Sequence, residues 1–394
     1  MGNFYCNSLA MKTKSLASPF LALMMAFSMM SCEQADVEPE SPKPADTEGD
    51  GLLLHAGTIR GSLDGPALRA QFDSPYLMSE GPDKSLYVYD AGGHFEVDGN
   101  LQNRKIRKIS ADGQVTTIFD LAAAGFPGSF QGISGMTVDK NGYIYISHEG
   151  RIKKISPDGK NITVIAGTGE GVEVPMKDGP ALQATFFGPA GLTFSKSGCL
   201  YIMDSGNNAV RLLVNGKVST IAGGIRYWEE GDEPRNQLPK DGIGPNAEFD
   251  NPLFIAVDDH DNVYVTGGKH PLIRKVTPGG VVTNFLAEWI DYSDYYYDSD
   301  FYTTYTGISF AKNGILYVNA NSANGKGDDF VFSINELTLN GELTRLLLRS
   351  YLPFDPENES NVPGLYFPTG LAVIGDTLYT TSTSDHLISK LKLK

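Results

Sequence analysis

One short apolar strand pattern recurs six times along this 394-residue chain, and any fold must accommodate that repetition. The copies are Leu86 to Asp90 (LYVYD), Ile144 to His148 (IYISH), Leu200 to Asp204 (LYIMD), Val263 to Gly267 (VYVTG), Leu316 to Ala320 (LYVNA) and Leu378 to Ser382 (LYTTS). A second run follows each copy, as in Ile106 to Ile109 and Ile273 to Val276. A third run follows five of them, as in Val115 to Ile118 and Val218 to Ile221. β-branched and aromatic residues alternating between Gly, Asn and Asp turns read as short antiparallel strands. A unit of this size cannot bury its apolar face alone, so neighbouring units must stack. The sixth unit lacks a fourth strand after its third, whereas Leu52 to Gly57 stands ahead of the first unit and echoes Ile165 to Gly167 and Ile221 to Gly223. A strand from the N-terminal side that completes the last blade would protect an otherwise unpaired edge. The expectation is an all-β, six-bladed β-propeller of four-stranded antiparallel blades over residues 52–394.

Composition narrows the function. Lys and Arg number 32 against 47 Asp and Glu, a formal net charge of −15. Such a surface repels phosphate backbones, which excludes nucleic acid as a partner. The three cysteines, Cys6, Cys32 and Cys199, form no motif, and Cys199 reads as a small apolar residue of the domain.

The N-terminus reads as an export signal. Lys12 and Lys14 precede an apolar stretch from Ser15 to Ser31 that is short for a membrane span. It ends in Met29, Met30, Ser31 and Cys32, which resembles the lipobox of bacterial lipoproteins. That resemblance implies removal of residues 1–31 and lipidation of Cys32, with the membrane as a partner through the anchor. Residues 32–51 then form an acidic, proline-containing tether. Acids directly after the cysteine resemble the surface-export signal of Bacteroidetes-type lipoproteins, which implies an outer-membrane, surface-exposed location.

The repeats resemble the NHL family. Its lead-in is matched by Asp178, Gly179, Ala184, Phe187 and Pro189, its strands by Leu200 to Asp204, Asn207 to Arg211 and Val218 to Gly223. Asp64, Gly65, Ala70, Phe72 and Pro75 match the lead-in, as do Asp241, Gly242, Ala247, Phe249 and Pro252. The family includes enzymes and interaction domains, so the resemblance implies a fold and leaves activity open. Asp90 with Arg107, and Asp204 with Arg211, are expected to be structural pairs.

In four-stranded blades, one face of the disc carries the first-to-second and third-to-fourth strand turns, which are short here. The other carries the remaining connections: residues 91–105, 168–190, 224–252, 288–306 and 349–368, all long. Binding residues concentrate on long loops held by a rigid scaffold. Two of these loops hold both tryptophans and a tyrosine cluster, and the candidate ligand-binding residues are Tyr227, Trp228, Trp289, Asp291, Tyr292, Asp294, Tyr295, Tyr296 and Tyr297. Aromatic faces with polar tips suit sugar rings or a protein hot spot. The acids of that loop could instead hold Ca²⁺, although they lack EF-hand order. His94, His148, His270 and His386 map to the same face and are the candidates for Zn²⁺, although none is spaced as a close pair. No cofactor is required by any motif, and no catalytic residue is assigned. The leading expectation is a lipid-anchored, non-enzymatic protein that binds a glycan or an envelope protein. The alternatives are a metal-dependent lyase or lactonase working at the central mouth, and a structural scaffold in an outer-membrane complex.

Overall fold

A computed structural model describes residues 51–57, 59–93, 104–126, 132–169, 175–224, 238–268, 272–286, 302–311, 313–323, 330–351, 365 and 367–393. They form six antiparallel sheets, the blades of a β-propeller. Each blade runs from an inner strand at the hub to an outer strand at the rim. The inner strands are Pro75–Glu80, Gly135–Val138, Pro189–Phe194, Pro252–Val257, Tyr302–Phe310 and Leu371–Ile374. The repeated LYV runs are the second strands, and Leu86, Val88, Ile144, Ile146, Leu200, Ile202, Leu316 and Val318 are buried. Burying an aliphatic side chain of this size contributes about 1.5–3 kcal/mol. Inner strands of adjacent blades touch all the way round, blade 6 against blade 1 included. In blade 6, Leu52–Ala56 pairs antiparallel with Leu387–Lys392, Leu52 lying opposite Leu391.

Blades 1, 3 and 4 have five strands instead of the expected four. Gly65–Pro66, Gly179–Pro180 and Gly242–Ile243 each pair with the outer strand of their own blade. These two-residue pieces are too short to show a period in the sequence. Blade 5 departs in another way. All four of its strands have nine residues, and the additions lie at the long-loop end. Residues 302–306 and 349–351 are therefore strand, not loop as the sequence suggested, and Tyr305 is a core residue with 1% of its surface exposed. Nor is every connection on that face long. His148 pairs with Arg151 across Glu149 and Gly150, whose φ values of 50° and 66° suit a tight two-residue hairpin.

Polar and steric fitting both hold the seams between blades. Ser147 Oγ donates to Ala190 O (2.9 Å), Thr306 Oγ1 to Pro368 O (2.6 Å), and Thr383 Oγ1 to Pro75 O (2.9 Å). The inner strands approach so closely that a Cβ added to Gly135 would sit 1.9 Å from Ala190 O, and one on Gly307 2.3 Å from Thr369 O. These contacts are to backbone, which cannot swing aside. Gly135→Ala should therefore lower stability by about 1–3 kcal/mol in denaturant titration, an overpacking penalty at the hub.

Candidate functional site

The hub is lined by the inner strands of all six blades: Leu77 and Met78, Gly135 and Met136, Gly191 and Leu192, Phe254 and Ile255, Gly307 and Ile308, Gly370 and Leu371, with Ser134 and Thr369. Its cavity is ≈ 70 Å³, room for a handful of water molecules. Phe254 of blade 4 also packs against the core cluster of blades 1 and 2, which contains Leu77 and Met136. Aliphatic, aromatic and glycine positions offer neither a general acid nor metal-ligating side chains at this point. Among the described residues no three His, Cys, Asp or Glu side chains are grouped to hold a metal.

The acids flagged beside arginines are committed to structure. Arg107 is fully buried. Its Nη1 lies 3.3 Å from Asp90 Oδ2 and its Nη2 2.8 Å from Asp64 Oδ1. Arg211 repeats the arrangement, 2.6 Å from Asp204 Oδ2 and 2.8 Å from Asp178 Oδ1. The terminal Nη groups also donate to carbonyls of the lead-in segments: Leu63 and Gln71 for Arg107, Lys177 and Thr185 for Arg211. Burial pushes the Asp90 carboxyl up to about 8 against the opposing pull of Arg107 and the Asp73 N–H, and raises Asp204 in the same way. Asp178 moves in the other direction. Burial opposes its ionisation, but the Thr220 N–H and hydroxyl and Arg211 together hold it below the usual range. The lead-in acids Asp64, Asp178 and Asp241 were missed as ion-pair partners by sequence reasoning. The signal was there: Asp178 and Asp241 each precede their arginine by the same interval. In blade 4, Gly267 stands where Asp90 and Asp204 stand in blades 1 and 3. Beside it lies a cavity of ≈ 10 Å³, lined by Arg274, Thr266 and Asp250. Arg274 there keeps Asp241 at 3.1 Å.

Two of the four candidate metal-ligating histidines fall among the described residues, and neither is presented to the hub. His148 occupies the Asp90 position in blade 2 and is buried, its Nδ1 3.1 Å from Lys153 Nζ and its ring edge-on to Phe126. Lys153 takes the place of Arg107 in the strand register, and burial lowers its pKa. His386 lies at the seam of blades 6 and 1, where its Nδ1 accepts the Ser74 N–H at 3.1 Å. His94 and His270 lie outside the described residues, as do Cys32, Tyr227, Trp228, Trp289, Asp291, Tyr292, Asp294, Tyr295, Tyr296 and Tyr297.

A further aromatic group on the long-loop face was not singled out from sequence. Phe330 and Phe332 of blade 5 each meet the Phe367 ring at a centroid distance of 5.2 Å. Phe367 is 37% exposed and has φ 50°. The residue before the inner-strand proline is left-handed in four blades, where Ser74, Gly188 and Asn251 are the other occupants. A bulky residue at such a corner is unusual and strained.

No family model matches the chain. Mouse teneurin-4 is 26% identical over 363 residues, which is 84% of this chain and 12% of teneurin-4. Bovine NHL repeat-containing protein 2 is 28% identical over 145 residues, 35% of this chain and 20% of that protein. These NHL-repeat proteins are weak homologues, and the chain spans only a small part of their length. Among solved structures, a gluconolactonase from Xanthomonas campestris superposes with a TM-score of 0.50 at 13% identity, over 87% of this chain and 89% of that one. Virginiamycin B lyase from Staphylococcus aureus gives 0.45 at 16% identity, over 82% and 96%. At these identities the likeness is one of fold.

The clamp geometry sets two expectations. Arg211→Met strands buried Asp204 and should cost about 3–5 kcal/mol in equilibrium unfolding. Because Asp178 titrates lower in the folded than in the unfolded chain, its contribution is complete above the unfolded carboxylate range, near pH 4, and is lost as pH falls through the folded value. Asp178→Asn should flatten that acid limb of the stability–pH curve.

Proposed function

We propose that this chain is a lipid-anchored envelope protein that binds a glycan or a partner protein through the long-loop face of the propeller. The observation that carries the reading is the asymmetry of the disc. One face is closed by tight turns, such as those in which Asp139 accepts the N–H groups of Asn141 and Tyr143 and Asp258 those of His260 and Asn262. On the strand order, the other is where the long connections would lie, including those carrying Trp228 and Trp289. Side chains that pack the hub leave that face as the place for a ligand.

The path of the closing strand sets where such a tether would join. Leu52 enters its strand opposite Leu391, at the short-turn face, where the Leu393 N–H donates to Asp376 O at 2.8 Å. A tether running from Cys32 to Leu52 would join the disc on that side. Its reach is at most about 70 Å when fully extended. The long-loop face, on the opposite side from this attachment, would be left clear of the tether.

Trp228→Ala and Trp289→Ala, each in the domain comprising residues 50–394, should weaken binding to a ligand found by glycan array or pull-down by about tenfold or more, with circular dichroism unchanged. Wild-type affinity in both variants would remove these loops from the site.

A further inference from the structure

The outer strand of every blade contains a bulge, and the extra residue occupies the same place in each register. In blades 1 to 5 it is Ile118, Ile165, Ile221, Phe285 and Leu346. In blade 6 the register shifts between Leu54 and Ala56, and the extra residue is His55. A slot filled five times by a hydrocarbon side chain is thus filled by an ionisable one in the strand that joins residues 52–56 to the last blade.

Blade 4 shows what the slot holds. Phe285 meets Tyr264 edge-on at 5.0 Å, and Lys275 Nζ lies 5.6 Å from the Tyr264 ring centroid and 5.8 Å from that of Phe285. Blade 6 repeats these parts in the same register, with His55 edge-on to Tyr379 at 4.8 Å and Lys390 opposite Tyr379. An uncharged imidazole can imitate the Phe285 ring, whereas an imidazolium would be a half-buried cation beside Lys390. Burial first, and Lys390 second, lower the pKa of His55 from 6.5 to about 4. The groups on the other packed elements do not offset this. Tyr379 is a phenol whose ionisation is itself suppressed by burial. Asp376 and Lys392 pair with each other. Across the seam the cluster that Tyr379 packs against is apolar, with Met78, Leu86 and Val88, and Arg107, which lies over the Phe72 ring of that cluster, is paired with Asp64.

We propose that Leu52–Ala56 is an acid-released latch on the last blade, with His55 as the group that senses proton concentration. In the seated strand His55 stays neutral, and in the released strand it takes up a proton at the ordinary histidine pH. Seating is therefore complete above about pH 6.5 and weakens progressively toward pH 4. The five other blades, with hydrocarbon in the slot, have no such response at this position.

Hydrogen exchange on the full-length protein tests this. Protection of the amides in residues 52–57 is compared with that in Lys217–Gly223, the outer strand of blade 3, at pH 7.5 and pH 5.0 after correction for intrinsic exchange. The expected result is a selective loss of roughly 30-fold in residues 52–57 at the lower pH. His55→Phe should abolish that loss, and His55→Leu, carrying the blade 5 residue type, serves if the Phe variant fails to fold. Equal behaviour of the two strands in the wild type, or a loss that survives substitution of His55, would overturn the proposal.

Discussion

A guanidinium cannot shed its proton inside a protein, so a blade that buries one must surround it with acceptors. Arg107, Arg211 and Arg274 find theirs largely on the lead-in chain, at Leu63 and Gln71, Lys177 and Thr185, and Pro239 and Lys240. Meeting that demand fixes the route of the lead-in. The short fifth strand falls beside the rim, and the left-handed corner before the proline turns the chain into the hub. Where the register places Lys153, Asn335 or Ser389 instead, the described sheets have four strands. One side-chain choice at the third strand thus accompanies the presence of the fifth strand.

The repetition made the strands legible, since a register that returns six times is read more securely than any single run. Second and third strands match their sequence runs closely in blades 1 to 4. The tyrosine-rich approach to blade 5 was harder. Thr303 and Tyr305 are buried and belong to a strand, yet they follow a stretch rich in aromatic and acidic residues that reads as loop. The histidines illustrate a different limit. Residue type suggested metal ligation, but His148 is explained by its register, since it stands where two other blades keep a buried aspartate. His55 drew little notice in the sequence because its meaning lies in a comparison of bulge positions that only pairing reveals.

The candidate binding residues, Tyr227 and Trp228 in one loop and Trp289 to Tyr297 in the other, all lie outside the described residues. What the described residues show is the hub. The hub is packed by hydrocarbon and glycine, and among the described residues the ionisable groups near the long-loop face are largely spent on seams and clamps. Phe367 is the exception that stands out, a bulky ring kept at a corner where glycine would be relaxed. Its contacts with Phe330 and Phe332 offset the strain, and its exposed edge leaves an aromatic surface beside the lengthened strands of blade 5.

The direction of the Leu52–Ala56 strand also decides how the molecule carries load. A pull on the backbone at Leu52, from the side where that strand begins, acts along the strand axis. The rungs to Leu391, Lys390, Ser389 and Ile388 then resist together in shear, instead of peeling apart one after another. Such a joint is mechanically stiff while its packing is intact, and it gives way as a unit once the packing beneath it is lost.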